Sequence, residues 1–180
     1  ASGNPYAVIL RGGYQSFCST QTNDPALTIL DGEGLGRAIT AVFSNASPFA
    51  SLYLENLTIR NGFSSTNDGG GLYASLRSGK IVLRNCIIEN CSAPRGGGAR
   101  LISESGSVRI ENSRIMNNEA DSRAGVWITA QTGSVVVVNS LLAGNKADFY
   151  GGALSVAMST GTVRLVNNTV ARNSIVTPWG

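Results

Sequence analysis

The sequence predicts an all-β protein, a parallel β-helix in which short strands stack into a solenoid. Three observations predict it: a repeat of roughly 27 residues, an apolar alternation of period two within each repeat, and a change of parity at one residue of every repeat. A repeat of this length indicates one structural unit stacked on copies of itself, and the alternation indicates that the unit begins with a strand. We expect about six coils, each with three strands.

An asparagine ends the first strand of each repeat, and successive asparagines lie 29, 27, 27 and 28 residues apart. The residues four and two places before it are apolar, whereas the next apolar residue lies three places after it. Side chains of a straight strand alternate between its faces, so the chain must bend at the asparagine and enter a second sheet. Asparagine suits a left-handed corner, and stacked amides can hydrogen-bond to one another. We predict a structural ladder at these corners, formed by Asn56, Asn85, Asn112, Asn139 and Asn167.

A glycine-rich motif follows each corner, and we expect it to open the third strand of the coil. Its inward column is expected to contain Leu72, Ala99, Val126 and Ala153. A turn such as Ser78-Gly79 should then lead into the next coil. Residues 51–180 carry these regular coils, and residues 1–50 are expected to form irregular N-terminal coils or a cap, with Asp31 aligned with the first corner asparagine. The 180 residues suit a single domain.

Composition restricts the function classes. The formal net charge of +3 arises without a block of like charges, which argues against nucleic-acid binding. No run of 18 apolar residues is present, so we expect no membrane insertion by this segment. The absence of histidine removes Ser/His and Cys/His nucleophile pairs and histidine metal sites, and we expect neither a metal nor a cofactor. Cys86 is interpreted as a small buried thiol, with a Cys86–Cys91 disulfide as the alternative.

Two short motifs carry a family resemblance. They are Gly151-Gly-Ala-Leu154 and the recurring Ile115-Met-Asn-Asn118, Leu142-Ala-Gly-Asn145 and Val170-Ala-Arg-Asn173. Together they resemble the repeats of polymorphic outer-membrane proteins, within the pectin-lyase-like right-handed β-helix group. The resemblance covers roughly two thirds of the chain. It implies a right-handed β-helix and a bacterial, secreted or cell-surface protein of adhesin-like type, and it implies no catalytic residue.

One outward column combines aromatic and cationic side chains directly after the glycine motifs. It is expected to contain Tyr73, Arg100, Trp127 and Leu154. In this register the Arg100 guanidinium would lie between two rings at a wet surface, an arrangement worth about 1 kcal/mol. Such a strip can hold a sugar ring or a protein partner, although stacking that only fixes the strand register is the other interpretation. Tyr73, Arg100 and Trp127 are therefore ligand-binding candidates.

The candidate catalytic residues are Asp121 and Asp148, each nine residues after its corner asparagine. If the coils are in register, the two positions lie about 4.8 Å apart, with Arg123 nearby. Paired carboxylates could serve glycosidic hydrolysis or hold a cation, and the alternative is a pair of solvated loop charges. We therefore expect a non-catalytic structural or adhesive module that binds a glycan or a host or cell-surface protein. The alternative is a polysaccharide lyase or glycoside hydrolase.

The outer columns lose their charges toward the C-terminus. Val138 and Val166 continue a column that begins with Glu55, and Ala143 and Ala171 continue another. We expect either that the natural protein continues or that Pro178 and Trp179 fold over the open edge. A packing partner from the rest of the protein or from another molecule, by stacking or self-association, is a further hypothesis for this end of the solenoid.

Overall fold

A computed structural model describes residues 6–43 and 50–176; Pro178 and Trp179 lie outside this part of the chain. The strands are β1 (Ala7–Arg11), β2 (Ile29–Asp31), β3 (Ile39–Phe43), β4 (Ser51–Glu55), β5 (Thr58–Arg60), β6 (Leu72–Arg84), β7 (Ile87–Glu89), β8 (Ser92–Arg95), β9 (Ala99–Glu111), β10 (Arg114–Met116), β11 (Glu119–Ser122), β12 (Val126–Val138), β13 (Leu141–Ala143), β14 (Lys146–Tyr150), β15 (Leu154–Met158), β16 (Thr162–Val166), β17 (Thr169–Ala171) and β18 (Ser174–Ile175). Two single 3-10 turns, Ser16–Cys18 and Pro25–Leu27, are the described helices. Neither is long and apolar enough to cross a bilayer.

The strands form three parallel sheets that wrap around one core. The first sheet has the order β1-β4-β6-β9-β12-β15, with β3 beside β6 and β16 beside β12; the second is β17-β13-β10-β7-β5-β2, and the third is β18-β14-β11-β8. The predicted parallel β-helix with three strands per coil is confirmed. It has about five turns, close to the six that the repeat predicts.

The corner asparagines turn the chain as predicted. All five have φ between 50° and 55°, in the left-handed region. Strand β4 ends at Glu55 in the first sheet, and β5 begins at Thr58 in the second. A second left-handed corner follows five residues later, at Asn61, Asn90 and Asn117 in successive coils. Each coil therefore changes sheet twice within about seven residues.

The predicted position of the third strand is wrong. The residues after the glycine motif continue through Ser78-Gly79 as one 13-residue strand of the first sheet, β6, and β9 and β12 behave alike. Gly79 has φ +100°, and a Cβ there would lie 1.7 Å from the Ala50 carbonyl oxygen. The strand therefore bends at this glycine without leaving its sheet. In β6 the inward-facing side chains belong to even-numbered residues before the glycine and to odd-numbered residues after it. The third sheet is built instead from the segments between the corner asparagine and the glycine motif, β8, β11 and β14, together with β18.

The N-terminal alignment also requires correction. Asp31 lies opposite Arg60 in the second sheet, and not opposite Asn56. The position opposite Asn56 belongs to Gly12, since Arg11 pairs with Glu55. Residues 6–43 thus form one irregular coil, in which a long insertion separates β1 from β2 where the regular coils have a single corner.

Buried apolar columns fill the interior. The columns four and two places before the corner asparagine and three places after it are at most 2% exposed in the middle coils; their members are Leu52, Leu54, Ile59, Ile81, Leu83, Ile88, Val108, Ile110, Ile115, Val135, Val137 and Leu142. In the last coil the same columns are open, with Leu165 58% and Val170 63% exposed. The apolar surface at this edge thus comes from core columns.

The main amide ladder lies six residues beyond the corner asparagines. Asn118 Nδ2 donates to Asn145 Oδ1 at 2.9 Å, and Asn145 Nδ2 donates to Asn173 Oδ1 at 2.8 Å. Asn118 and Asn145 are fully buried. Among the described residues, one such bond joins the predicted corner column, from Asn85 Nδ2 to Asn56 Oδ1 at 2.9 Å. The corner side chains of Asn112, Asn139 and Asn167 instead border an outer cavity.

A charge column on the outside of the first sheet fixes its register. Arg11, Glu55, Arg84 and Glu111 lie opposite one another on successive strands. Arg11 Nε is 2.6 Å and Arg84 Nη1 3.1 Å from the Glu55 carboxylate, and Arg84 Nε also pairs with Glu111. If a strand paired with the next strand but one, Glu55 would lie opposite Glu111 and Arg11 opposite Arg84. The alternation of charge therefore favours the observed stacking.

Candidate functional site

The three predicted ligand-binding residues lie side by side on the outside of the first sheet. Tyr73 of β6 pairs with Arg100 of β9, which pairs with Trp127 of β12. The fourth member of this column is Ser155, and the prediction of Leu154 is wrong. An additional residue in β14 shifts the register after Ala120, so that Ser122 lies opposite Tyr150, and later residues move by one place.

Arg100 is buried, contrary to its predicted place at a wet surface between two rings. The residue is 6% exposed, and its Cζ lies 3.5 Å from the Trp127 ring centroid. The Tyr73 ring holds a different cation, since Arg37 Cζ lies 5.1 Å from its centroid. Gly69 and Gly96 border Arg100 with positive φ, and a Cβ on Gly69 would lie 3.0 Å from the Arg100 Cβ. The glycines therefore let the neighbouring coils close around the arginine.

The hydrogen bonding of Arg100 is incomplete. Its Nη1 donates to the carbonyl oxygens of Leu101 and Trp127 at 3.2 and 3.4 Å. Its buried Nε has no hydrogen-bond partner among the described residues, and the Asp68 carboxylate oxygen Oδ2 lies 3.9 Å away. Burial lowers the pKa of Arg100 to about 10, and the nearby Arg95 and Arg123 act in the same direction. Arg100 thus stays charged at neutral pH in a site that disfavours its charge.

Two further arginines surround Trp127. Arg123 Cζ lies 4.6 Å and Arg95 Cζ 5.4 Å from the centroid of the indole. Both distances are within the range of cation–π attraction. Three guanidiniums therefore crowd one ring. We name the group of Arg37, Arg95, Arg100, Arg123, Asp68, Tyr73 and Trp127 the arginine cluster.

The arginine cluster is strongly positive. Its carboxylate, Asp68, accepts from Arg95 Nε at 2.8 Å. Arg37 donates from Nη2 and Nε to the backbone oxygens of Asp68 and Gly69 at 2.7 and 2.6 Å, and from Nη1 to Thr40 Oγ1 at 3.0 Å. Four guanidiniums thus face one carboxylate, an excess of three positive charges. Burial also lowers the pKa of Arg37.

A cavity of about 430 Å³ opens beside the arginine cluster. It is lined by Arg37, Thr40, Thr66, Asn67, Asp68, Tyr73 and Arg95. The volume falls in the range of small-molecule sites. The cavity combines guanidinium, hydroxyl and amide donors with one aromatic face, and it can therefore accept a polar, negatively charged group.

The candidate catalytic residues lie elsewhere, in the third sheet. Asp121 of β11 and Asp148 of β14 are both exposed and line one cavity of about 370 Å³, together with Glu119 and Lys146. The register shift of β14 begins at these positions, between the pairs Ala120–Ala147 and Ser122–Tyr150. Within residues 6–43 and 50–176, no group of three or more cysteine or acidic side chains could hold a metal ion.

The cysteines are unpaired. Cys86 and Cys91 are buried thiols, as the first interpretation of Cys86 predicts, and Cys18 is exposed. The Cys86–Cys91 disulfide is wrong. The two residues flank β7, in two different corners of the coil, where Cys86 Sγ donates to the Leu54 carbonyl at 3.2 Å and Cys91 Sγ to the Glu89 carbonyl at 3.2 Å. Burial raises the pKa of Cys86 to about 12 and that of Cys91 to about 11.

Sequence reasoning missed Arg37, Arg95 and Asp68 as parts of the site. Asp68 and Arg95 each directly precede a glycine motif and lie 27 residues apart, whereas Arg37 comes from the irregular N-terminal coil, so the three meet only because their coils adjoin. The sequence signal that could have indicated this site is the glycine motif, which precedes each of Tyr73, Arg100 and Trp127.

Comparison with known proteins identifies the architecture. The family model described as a right handed beta helix region matches residues 23–175. No curated protein and no solved structure gives a significant match.

Proposed function

Since the chain belongs to the right-handed β-helix family, we propose that it is a non-catalytic structural or adhesive module that binds its ligand through the arginine cluster. The proposed ligand is a glycan or a surface protein. The observation that carries this proposal is Arg100, a buried cation whose Nε has no hydrogen-bond partner among the described residues. An unpaired buried donor costs about 1–3 kcal/mol, a cost that has to be compensated elsewhere.

The fold itself does not require an arginine at this position. The equivalent residues on neighbouring strands are Thr40, Tyr73, Trp127 and Ser155, which share neither charge nor size. Local violations of folding rules are expected at functional sites. The charge of Arg100, held with three other guanidiniums beside a cavity, supports a binding role.

We also propose that the protein acts outside the cell, as a secreted or surface protein of bacterial type. The support is the resemblance of its repeats to those of polymorphic outer-membrane proteins. Its open C-terminal core columns support a partner at that edge, where a further β-coil of the same protein or of a second molecule would cover Leu165 and Val170.

A carbohydrate-active enzyme is the second candidate. One observation favours it, the shared cavity of Asp121 and Asp148. Both carboxylates are exposed, and the positive site lies on another sheet, so binding without turnover has the broader support.

A glycan array tests the proposed function. The wild-type protein should bind a subset of glycans, and Trp127→Ala should lose them, because the ring holds three guanidiniums in place. Tyr53→Ala is a matched control, since Tyr53 lies on the same sheet beyond the cluster. Equal binding by Trp127→Ala and the wild type would contradict ligand binding through the arginine cluster. Cleavage of a bound polysaccharide that disappears in Asp121→Asn/Asp148→Asn would establish the enzyme instead.

A further inference from the structure

We propose that the ligand of the arginine cluster is a sulfated polysaccharide. This inference rests on the proposed binding function and specifies the chemistry of the ligand. It is carried by the number, spacing and packing of the guanidiniums.

The cations follow the axis of the solenoid. Arg37 precedes β3, Arg95 ends β8 and Arg100 lies in β9, and Arg123 lies between β11 and β12. Strands β3, β6, β9 and β12 are successive neighbours in the first sheet. At about 4.8 Å per strand, these charges extend over roughly 14 Å. A linear polyanion can contact such a row, whereas a single small anion can reach only part of it.

Each aromatic ring of the arginine cluster has a cation beside it, and three cations approach Trp127. Arg100, Arg95 and Arg123 approach Trp127, and Arg37 lies over Tyr73. A neutral sugar needs an open ring face on which to stack, and so do the bases of a single-stranded nucleic acid. The Trp127 ring therefore positions guanidiniums, and the N–H groups of the exposed Arg95 and the half-buried Arg123 are offered to a ligand. This favours an anionic glycan over a neutral glycan and over a nucleic acid.

The donor geometry favours sulfate over carboxylate. A guanidinium donates in a planar fork that matches the oxygens of an oxyanion. A sulfate ester has three terminal oxygens and can accept from several guanidiniums at once, whereas a carboxylate has two. Arg95 and Arg123 both lie near one indole, and the proposed sulfate group contacts both.

Asp68 acts as an internal competitor for this site. One of its oxygens accepts from Arg95 at 2.8 Å, and the other lies 3.9 Å from the unpaired Arg100 Nε. When a sulfate binds Arg95, the Asp68 carboxylate can turn fully to Arg100 and satisfy that donor. The exchange leaves both Arg95 and Arg100 with an anionic partner. Removal of the Asp68 charge should therefore strengthen binding of the polyanion.

Isothermal titration with four probes tests the inference. The probes are a heparin fragment, the same fragment after chemical desulfation with its carboxylates retained, dextran, and a single-stranded oligonucleotide. We expect the heparin fragment to bind at least tenfold more tightly than each of the others, with affinity that falls as salt rises. Arg95→Ala/Arg123→Ala should weaken it at least tenfold, and Asp68→Asn should strengthen it severalfold. Arg114→Ala/Arg164→Ala removes the same charge from exposed positions elsewhere and should have a much smaller effect.

The outcomes separate this inference from the proposed function. Equal binding of the fragment before and after desulfation, or preference for dextran, would contradict recognition of sulfate groups and leave the proposed glycan binding intact. Tighter binding of the oligonucleotide than of the heparin fragment would contradict the proposal that the ligand is a polysaccharide. Failure of all four probes, together with a blank glycan array, would overturn both proposals. Circular dichroism of each variant shows whether the fold is retained, and the exposed Arg95 is expected to be dispensable for it.

Discussion

The guanidinium of Arg100 lies 3.5 Å from the ring centroid of Trp127 on the next coil, and both residues face outward from the same sheet. A cation–π contact of this kind is worth about 2 kcal/mol when it is desolvated. It offsets part of the cost of burying the cation without a full set of acceptors. The pair thus links the stacking of the coils to the charge of the proposed binding site.

Arg100→Met should separate stability from binding. Methionine fills similar space without a buried charge, and replacements of this kind are often neutral or stabilising. We expect the free energy of unfolding to stay within about 1 kcal/mol of the wild type or to rise, while ligand affinity falls. Urea titration measures the first and calorimetry the second. A loss of several kcal/mol would show that Arg100 is a structural residue.

The buried ladder should be far more sensitive than the corner asparagines. Asn145 accepts from the Asn118 backbone and side chain and donates to Ile115 and Asn173, so Asn145→Ala leaves several buried groups unpaired. We expect a loss of about 3 kcal/mol or more in the free energy of unfolding. Asn139→Ala should cost only about 1–2 kcal/mol, because a left-handed alanine is strained, and Asn139→Gly should cost still less. Similar losses for Asn145→Ala and Asn139→Ala would contradict the role of the ladder.

Asp31 should contribute to stability at neutral pH and lose that contribution in acid. Bonds from the Glu33 backbone, Arg60 and Asn61 lower its pKa from 3.8 to about 2. Because the unfolded state binds a proton first, the stabilisation is complete above about pH 4 and is lost as the pH falls toward 2. The denaturant midpoint of the wild type should therefore exceed that of Asp31→Asn at pH 6, and the two midpoints should converge at pH 2.5. A constant difference between them would be inconsistent with the lowered pKa.

The thiols should differ sharply in reactivity. Cys18 is exposed, whereas burial raises the pKa of Cys86 to about 12 and that of Cys91 to about 11. At pH 8 a thiol reagent should modify one cysteine in the folded protein and three after denaturation. Cys18→Ser is the control, and it should abolish the fast reaction. Rapid modification of two or more native thiols would mean that the corners open readily.

The C-terminal edge should promote association. Leu165 and Val170 are exposed members of core columns, and they lie on strands that can pair with another chain. Sedimentation velocity should show a mass that rises with protein concentration. Leu165→Lys/Val170→Lys should keep the protein monomeric, whereas monomers of the wild type at high concentration would exclude this contact.

The sequence predicted most of the architecture and only part of the site. The corner asparagines and inward columns could be read directly because parity and period repeat in every coil. The third sheet could not, since Ser92–Arg95 contains a proline and has no apolar alternation. The added residue in β14 lengthens the last corner spacing to 28 residues, but the spacing does not show where in the coil the residue lies, and it moved Leu154 out of the column.

The burial of Arg100 lay beyond any such pattern. It depends on Gly69 and Gly96 of adjoining coils and on the approach of Asp68. Gly69 and Gly96 are equivalent glycines of successive coils, and Asp68 directly precedes Gly69, so the way these residues meet around Arg100 is set by how the coils stack. Periodicity therefore located the column but not its environment.

The buried asparagines have a consequence for how such a chain can change in length. Asn118 and Asn145 make the same set of bonds to the coil that follows, 27 or 28 residues later. Removing residues 119–145 would place Asn173 where Asn145 now stands, with the acceptor for Asn118 restored. One coil can thus take the place of another in the asparagine ladder. A gene encoding this protein can therefore gain or lose one whole repeat by duplication or deletion without changing the register of the adjoining coils.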